Sequence, residues 1–533
     1  MNRTAKALMS AVVMASPLWL ATPSHAERVL RLDESPIGEI DPAKATDYAD
    51  TVLAVNLYDT LVYPKKGGPG VEPRLATEWT TDGATYTFKL RDGVKFHSGN
   101  PLTADDVVFS LNRTVAMGQG FSNLFAGRVT KAEAIDPLTV KFTLSEPYAP
   151  FLAALVRLPI VDSKTVIANK VDGKYGEFGD YGEAWLSAHD AGSGAYKVES
   201  QNPQSETVMV KYPDYFLGFA ENAPDTVRYR YGVEAPTIRA LMSRGEHEIS
   251  DLWLPPEVIR AMGTEKGLKL LTEAGGATGE YIKLNTARAP LDDVHCRLAL
   301  TYAFDYATTL KILQINDKYA QGIPMKGALP SGLLGYDKDA PAYAQDMDRA
   351  KAELAQCKYD PKTSPIDIAW IAEVPARERI ALLMQASFSK LGFPVKVVKT
   401  PWALVTEQVT KPDTAPHAVE IAVAAVTPDP DSLLYNMYSS KVPPTWMSAE
   451  HLKDDKVDAL LEAGRGEVDE AKRAEIYKEL NARLRELAPS IYAYEFTGVV
   501  VARDAVNVPG LSGPADQRLD NFNLNFRDIS VAE

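Results

Sequence analysis

The sequence predicts an α/β architecture divided into two or three domains. Three observations carry this. Strand-like segments of alternating polarity interleave with amphipathic helical segments in both halves of the chain, a pattern that covers sheets with helices on both faces. At 533 residues the chain exceeds what a single hydrophobic core organises. Its 45% hydrophobic and 24% charged content is that of a folded globular protein, and no internal repeat or low-complexity segment breaks the pattern.

Residues 1–26 read as a signal peptide. Arg3 and Lys6 form a short positive region, residues 7–21 are mostly apolar with Pro17 interrupting, and Ser24-His25-Ala26 ends in a small-residue cleavage pattern. The apolar run is short of the ~20 residues of a spanning helix. No later segment reaches that length; residues 421–426 make only a strand. With no Cys at the cleavage site, the expectation is a free periplasmic protein beginning near Glu27, not a lipid-anchored one. The net charge of −14, without Lys/Arg runs, argues against nucleic acid or an anionic membrane as partner.

Along the mature chain, residues 28–32 read as a strand and 50–63 as a helix with Leu53, Leu57 and Leu61 on one face. Tyr86, Phe88 and Leu90 alternate with Thr85, Thr87 and Lys89, which marks a half-buried strand. Asp92-Gly93 is a turn signal, and Val94 and Phe96 continue the apolar face. Thr103 is placed to cap a helix with Asp105 and Asp106 in its first turn and Val107, Val108 and Leu111 as its buried stripe. Strands follow at 138–144, 208–211 and 249–253, and residues 171–191 read as surface loop. The glycine-rich run 275–279 frees the backbone before a strand at 281–286. Strands at 366–371 and 395–398 flank a helix at 377–391, and helices at 455–463 and 469–487 precede a strand at 489–494.

Several of these segments carry a family resemblance. Pro73, Leu75, Ala76 and Trp79, then Asp82-Gly83, Thr85-Tyr86, Phe88, Leu90-Arg91, Val94, Phe96-His97, Gly99, Pro101, Thr103-Ala104 and Asp106-Val107, follow one long pattern. Asn56, Tyr58, Asp59 and Leu61 fit N-x-Y-[ED]-x-L. Gly192-Ser193-Gly194-Ala195-Tyr196 fits G-[ST]-G-P-Y with Ala195 in place of Pro, and lacks the Gly-Lys-Ser/Thr of a phosphate loop. Pro290, Asp292, Val294, Arg297, Ala299, Ala303 and Asp305 fit a further helix of the pattern. From about residue 28 to 510 the chain resembles the large solute-binding proteins of bacterial ABC importers, the peptide and nickel class, family 5.

The resemblance implies a type II periplasmic-binding-protein fold of two lobes joined by a two-strand hinge, with an extra domain inserted in the first lobe. It places lobe I at 27–69, 192–276 and 499–533, the inserted domain at 70–191 and lobe II at 277–498. It implies a non-enzymatic, cofactor-free and metal-free monomer that captures a peptide or peptide-sized solute and delivers it to an inner-membrane ABC permease.

A cleft for such a solute needs aromatic walls and a few polar anchors. Trp253, Tyr281, Trp402, Asp429, Asn436 and Trp446 lie at expected strand ends and cleft loops and are the candidate ligand contacts. Core packing is the competing role for each aromatic; Trp253 and Trp402 match cleft-proximal segments of the family. Asp429-Pro430 matches the family's D-P-x-x-x-L segment, with a turn as its competing role. Peptide-binding members place an Asp three residues before that acid to pair with the peptide's α-ammonium. Val426 stands there, which favours ligands without that clamp: a modified peptide, an oligosaccharide, an opine-like conjugate or a metal chelate. Asp429 or Asp431 could substitute, so peptides stay open.

Cys296 and Cys357 permit one disulfide in an exported chain, with two buried thiols as the alternative. We expect the bridge, between two helices of the second lobe. Zinc is unsupported, since two Cys without nearby paired His make no ligand set. Ser387-x-x-Lys390 lacks the companion S-D-N and K-T-G elements, Lys399-Thr400 being followed by Pro401. Glu246-His247-Glu248 is not H-E-x-x-H. A periplasmic hydrolase using paired carboxylates and a sensor docking on a chemoreceptor are the alternatives from other classes.

Overall fold

The computed structural model describes residues 27–34, 39–273, 276–374, 376–513 and 516–532. The proposed signal peptide lies outside these residues, as does Gly275 of the glycine-rich run. Among the described residues no helix is long and apolar enough to cross a membrane.

The chain forms two lobes. One is built on a four-stranded sheet in which Val29–Glu34 runs parallel to Thr226–Tyr231 and two antiparallel strands, Glu206–Lys211 and Tyr196–Asn202, complete the order. Residues 249–253, expected as a strand, supply only a bridge: Ile249 pairs with Leu32 on one side and Ala502 on the other. That bridge ties the sheet to the antiparallel pair Leu268–Glu273 and Gly498–Arg503. The other lobe is built on a six-stranded sheet with Ser490–Phe496, Thr278–Leu284 and Ala418–Ala424 at its centre. Ile366–Ile371 and Val395–Thr400 form its parallel edge, covered by the helix Ala376–Ser389.

A third, antiparallel sheet contains Ala76–Asp82, Thr85–Leu90, Thr139–Leu144 and Val129–Asp136. Phe88, Phe142 and Phe151 form its aromatic centre beneath the helix Ala104–Met117. Asp106 caps that helix by accepting from the Thr103 backbone N–H at 2.9 Å, and Arg113 ties it to Asp41 through two bonds of 2.7 and 2.5 Å. This unit also reaches the six-stranded lobe, where the Tyr148 hydroxyl donates to Asp431 Oδ2 at 2.8 Å.

The helix expected at 50–63 spans Tyr48–Leu57. Beyond it Val62–Pro64 turns into a strand against Val71–Pro73, because β-branched Val62 and the fixed φ of Pro64 suit an edge pairing better than a helix end. Residues 171–191, read as loop, contain the short helix Glu183–Leu186, with Leu186 and Tyr181 buried.

The segments that carried the resemblance converge on one junction. Gly192 and Gly194 lie against the end of the helix Tyr48–Leu57: a Cβ on Gly192 would sit 1.8 Å from the Leu57 carbonyl oxygen, and one on Gly194 2.4 Å from that of Asn56. The Ser193 hydroxyl donates to Asp59 at 3.0 Å, and Arg74 and Tyr215 donate to the same carboxylate at 2.8 and 2.9 Å. His97 bonds Asp190 through Nδ1 and the Gly194 carbonyl through Nε2. These motifs build the scaffold.

Candidate functional site

The chain passes between the lobes twice, once between strands Leu268–Glu273 and Thr278–Leu284 and once between Phe496 and Gly498. The passages lie side by side, with Glu273 opposite Gly498 and Gly279 opposite Glu495. Beside them opens a cavity of about 600 Å³. Trp253, Leu254, Pro255 and Pro256 line one side; Trp402, Trp446, Ile371 and Val374 line the other; Phe496 stands at the crossing.

Local sequence sets each aromatic wall. Trp402 opens the helix Trp402–Gln408 directly after Pro401, and the Glu373 carboxylate accepts from its backbone N–H at 3.0 Å, where a helix start favours negative charge. Trp446 opens a single 3-10 turn capped by Thr445. The two indoles meet edge to face with centroids 5.4 Å apart. Trp253, 43% exposed, stacks on Phe496 at 5.1 Å from across the cavity. An exposed pair, Arg379 to Glu257 at 3.0 Å, crosses between the same two sides.

The floor is charged. Arg377, at the start of the helix Ala376–Ser389, donates from Nε to Glu280 Oε1 at 2.6 Å, and its Nη2 lies 2.5 Å from the same oxygen. Glu280 Oε2 is buried without a partner. Behind it Glu420 is wholly buried with neither carboxylate oxygen partnered. Burial pushes the Glu280 carboxyl up, and Arg377 offsets this only in part. Burial, and then the charge of Glu280, hold Glu420 well above the usual carboxylate range. Burial would lower Arg377, but the charges of Glu280 and Glu420 reverse that and raise it.

Three of the six candidate contacts, Trp253, Trp402 and Trp446, come together in this cavity, and three do not line it. Tyr281 is fully buried on the opposite face of its strand and donates to the Ala328 carbonyl at 2.8 Å. Asp429 is buried in a two-bond pair with Arg473, at 2.5 and 2.7 Å, so its carboxylate is already occupied. Asn436 lies on the helix Asp431–Tyr438 and donates to the Ser432 carbonyl one turn back at 2.8 Å. The Val426 carbonyl accepts from Arg157. Glu280 and Glu420 were not among the expected contacts. Their signal was present: one acid within the otherwise apolar run Ala418–Ala424, and another opening the strand face that continues with Ile282 and Leu284.

Cys296 and Cys357 form a disulfide with Cα atoms 5.0 Å apart, joining the first turn of Val294–Ala303 to the segment just past the helix Met347–Leu354, so that Cys357 lies beyond the helix expected to carry it. Asp293 lies close to both sulfurs, which as a disulfide offer no thiolate to a metal.

A second cavity of about 390 Å³ shares Phe496 and lies between Pro428 and Gly276 on one side and Glu273, Arg518 and Asp520 on the other. Burial raises the Asp520 carboxyl to about 6, against the opposing charge of Arg157.

Residues 70–443 match the middle region of the bacterial extracellular solute-binding proteins, family 5. The chain is 30% identical over 468 residues to the probable D,D-dipeptide-binding periplasmic protein DdpA of Escherichia coli K12, covering 86% of each. It is 28% identical to heme-binding protein A of Haemophilus influenzae, covering 82% of this chain and 81% of that one. The fold matches that of the periplasmic binding protein DppA of Helicobacter pylori, solved with a peptide, at a TM-score of 0.76 and 24% identity over 95% of this chain and 98% of that one. Two lobes around an aromatic cavity and a family match over most of the length agree: the chain belongs to the bacterial extracellular solute-binding proteins, family 5.

Proposed function

We propose that the protein is the solute-capturing component of an ABC importer, released into the periplasm after loss of residues 1–26, and that it works as a monomer without turning its ligand over. It holds a peptide or peptide-sized solute in the cavity between Trp253 and the pair Trp402 and Trp446. The observation that carries this reading is the cavity itself, with tryptophans contributed from both sides of the paired crossings. Indole faces give large contact area at low conformational cost, and a volume of about 600 Å³ is in the range of small-molecule sites. Relatives named for a D,D-dipeptide and for heme support a solute of this size class. Delivery to an inner-membrane permease follows from the same family membership.

The test is calorimetric titration with di- to pentapeptides beside their N-acetylated forms. Saturable one-to-one binding that Trp402→Ala weakens at least tenfold is expected. Enzyme-like turnover of a bound solute, or full affinity in the variant, would contradict the reading. Tight binding that acetylation abolishes would show an amine clamp supplied by an acid at a position other than 426.

A further inference from the structure

We propose that the inner end of the tryptophan cavity recognises a cationic group, an ammonium or guanidinium, through the carboxylate of Glu280, with the charge of Glu420 buried behind it; this deepens the binding reading above and rests on it. Glu280 lines the cavity, is 3% exposed, and has one oxygen committed to Arg377. Both guanidinium contacts converge on Oε1, so Oε2 is left buried without a donor. Glu420 has both oxygens unpartnered.

Strand geometry puts the two acids together. Glu280 faces Ala422, which also lines the cavity, and Glu420 lies two residues back on the same strand, facing Ile282. Alternation along a strand places residues 420 and 422 on one face of the sheet, the face that carries Glu280. Arg377 therefore serves two buried carboxylates, and one negative charge at the floor has no counter-charge among the described residues. An isolated buried charge is strongly disfavoured, so the empty protein holds a proton there. The burial that raises both carboxyls agrees with this. A ligand cation supplies the missing counter-charge and the missing donors together, as charge-assisted hydrogen bonds do.

The walls suit the same group. Trp253, Trp402 and Trp446 present indoles to the space above the acids, and indole is the strongest cation-binding aromatic face. At the rim Glu257 and Glu373 add two acids against Arg379. A carboxylate-first ligand would meet Arg377 already engaged, with Glu280 beside it.

The experiment compares isosteres by calorimetry on the full mature chain, each with its α-amine blocked: N-acetyl-Gly-Arg against N-acetyl-Gly-citrulline, and N-acetyl-Gly-Lys against N-acetyl-Gly-norleucine, with N-acetyl-Gly-Glu and agmatine alongside. The cationic member of each pair is expected to bind at least tenfold tighter, with N-acetyl-Gly-Glu weakest. Glu280→Gln and Glu420→Gln, each made singly, should bring the ratio within each pair below threefold, whereas Trp402→Ala should weaken both members alike. The wild-type comparison stands even where one variant fails to fold. Equal affinity for cationic and neutral members, or a ratio unchanged in both folded Gln variants, would overturn the inference while leaving the binding reading intact. Neutral solutes binding in a Trp402-dependent way while no cationic probe binds would do the same. Absence of any Trp402-dependent binding across the set would sink both.

Discussion

Asp429 shows how a family motif and a site can part company. In the sequence it belongs to an acid-proline segment that suggests ligand contact. In the structure both its oxygens are held by Arg473, in a pocket closed further by Tyr477. Removing one partner of a buried pair leaves the other charge uncompensated. Asp429→Ala should therefore lower unfolding free energy by about 3–5 kcal/mol, read from urea midpoints. Solute affinity of the folded fraction should stay within threefold of wild type. A large affinity loss with unchanged stability would return Asp429 to the site. Core packing competed for each aromatic in the sequence; Trp253 and Trp402 stood out through their match to cleft-proximal segments of the family, and the structure brings them with Trp446 to one cavity. The acids were not legible, because a single Glu in an apolar strand reads equally well as a register error or an edge residue until the sheet places it.

At the scale of elements, the junction of His97 with the 190–194 segment makes a pH-dependent claim. Burial would lower the His97 pKa, but the charge and hydrogen bond of Asp190 reverse that and raise it above the usual imidazole value. Burial likewise would raise Asp190, and the His97 charge lowers it instead. A raised His contributes fully below its unfolded value of about 6.5 and loses that contribution as pH climbs through the folded value. A lowered Asp contributes above its unfolded value of about 3.9 and loses it as pH falls through the folded one. The pair is thus strongest between about pH 4 and 6.5. The stability gap between wild type and His97→Gln should shrink steadily from pH 6 to 9 in urea titrations; a gap that widens would contradict the assignment.

The disulfide belongs to the same scale. It closes a loop with a sequence separation of 61, which in the chain-entropy model stabilises by about 4 kcal/mol. Cys296→Ser with Cys357→Ser should lose stability of that order without altering solute affinity, since the bridge lies outside the cavity lining. Elements with strong alternation or caps, such as Thr85–Leu90 and Ala104–Met117, were legible from sequence. The helix Tyr48–Leu57 was overextended because Leu61 continued its apolar stripe, while pairing with Val71–Pro73 decided the local structure.

At the scale of the molecule, two adjacent crossings are the geometry of a hinge, about which closure on a solute would be a rotation of one lobe against the other. The exposed Arg379–Glu257 pair is the kind of contact that salt screens, so it would bias such a closure only weakly. The most direct measurement is native mass spectrometry of the protein taken from its own host, beside a folded Trp402→Ala, Trp446→Ala variant prepared identically. The account predicts a stoichiometric small solute on wild type, released intact on denaturation and absent from the variant. The same solute retained at full occupancy by the variant, or recovered from wild type as a chemically altered product, would contradict it.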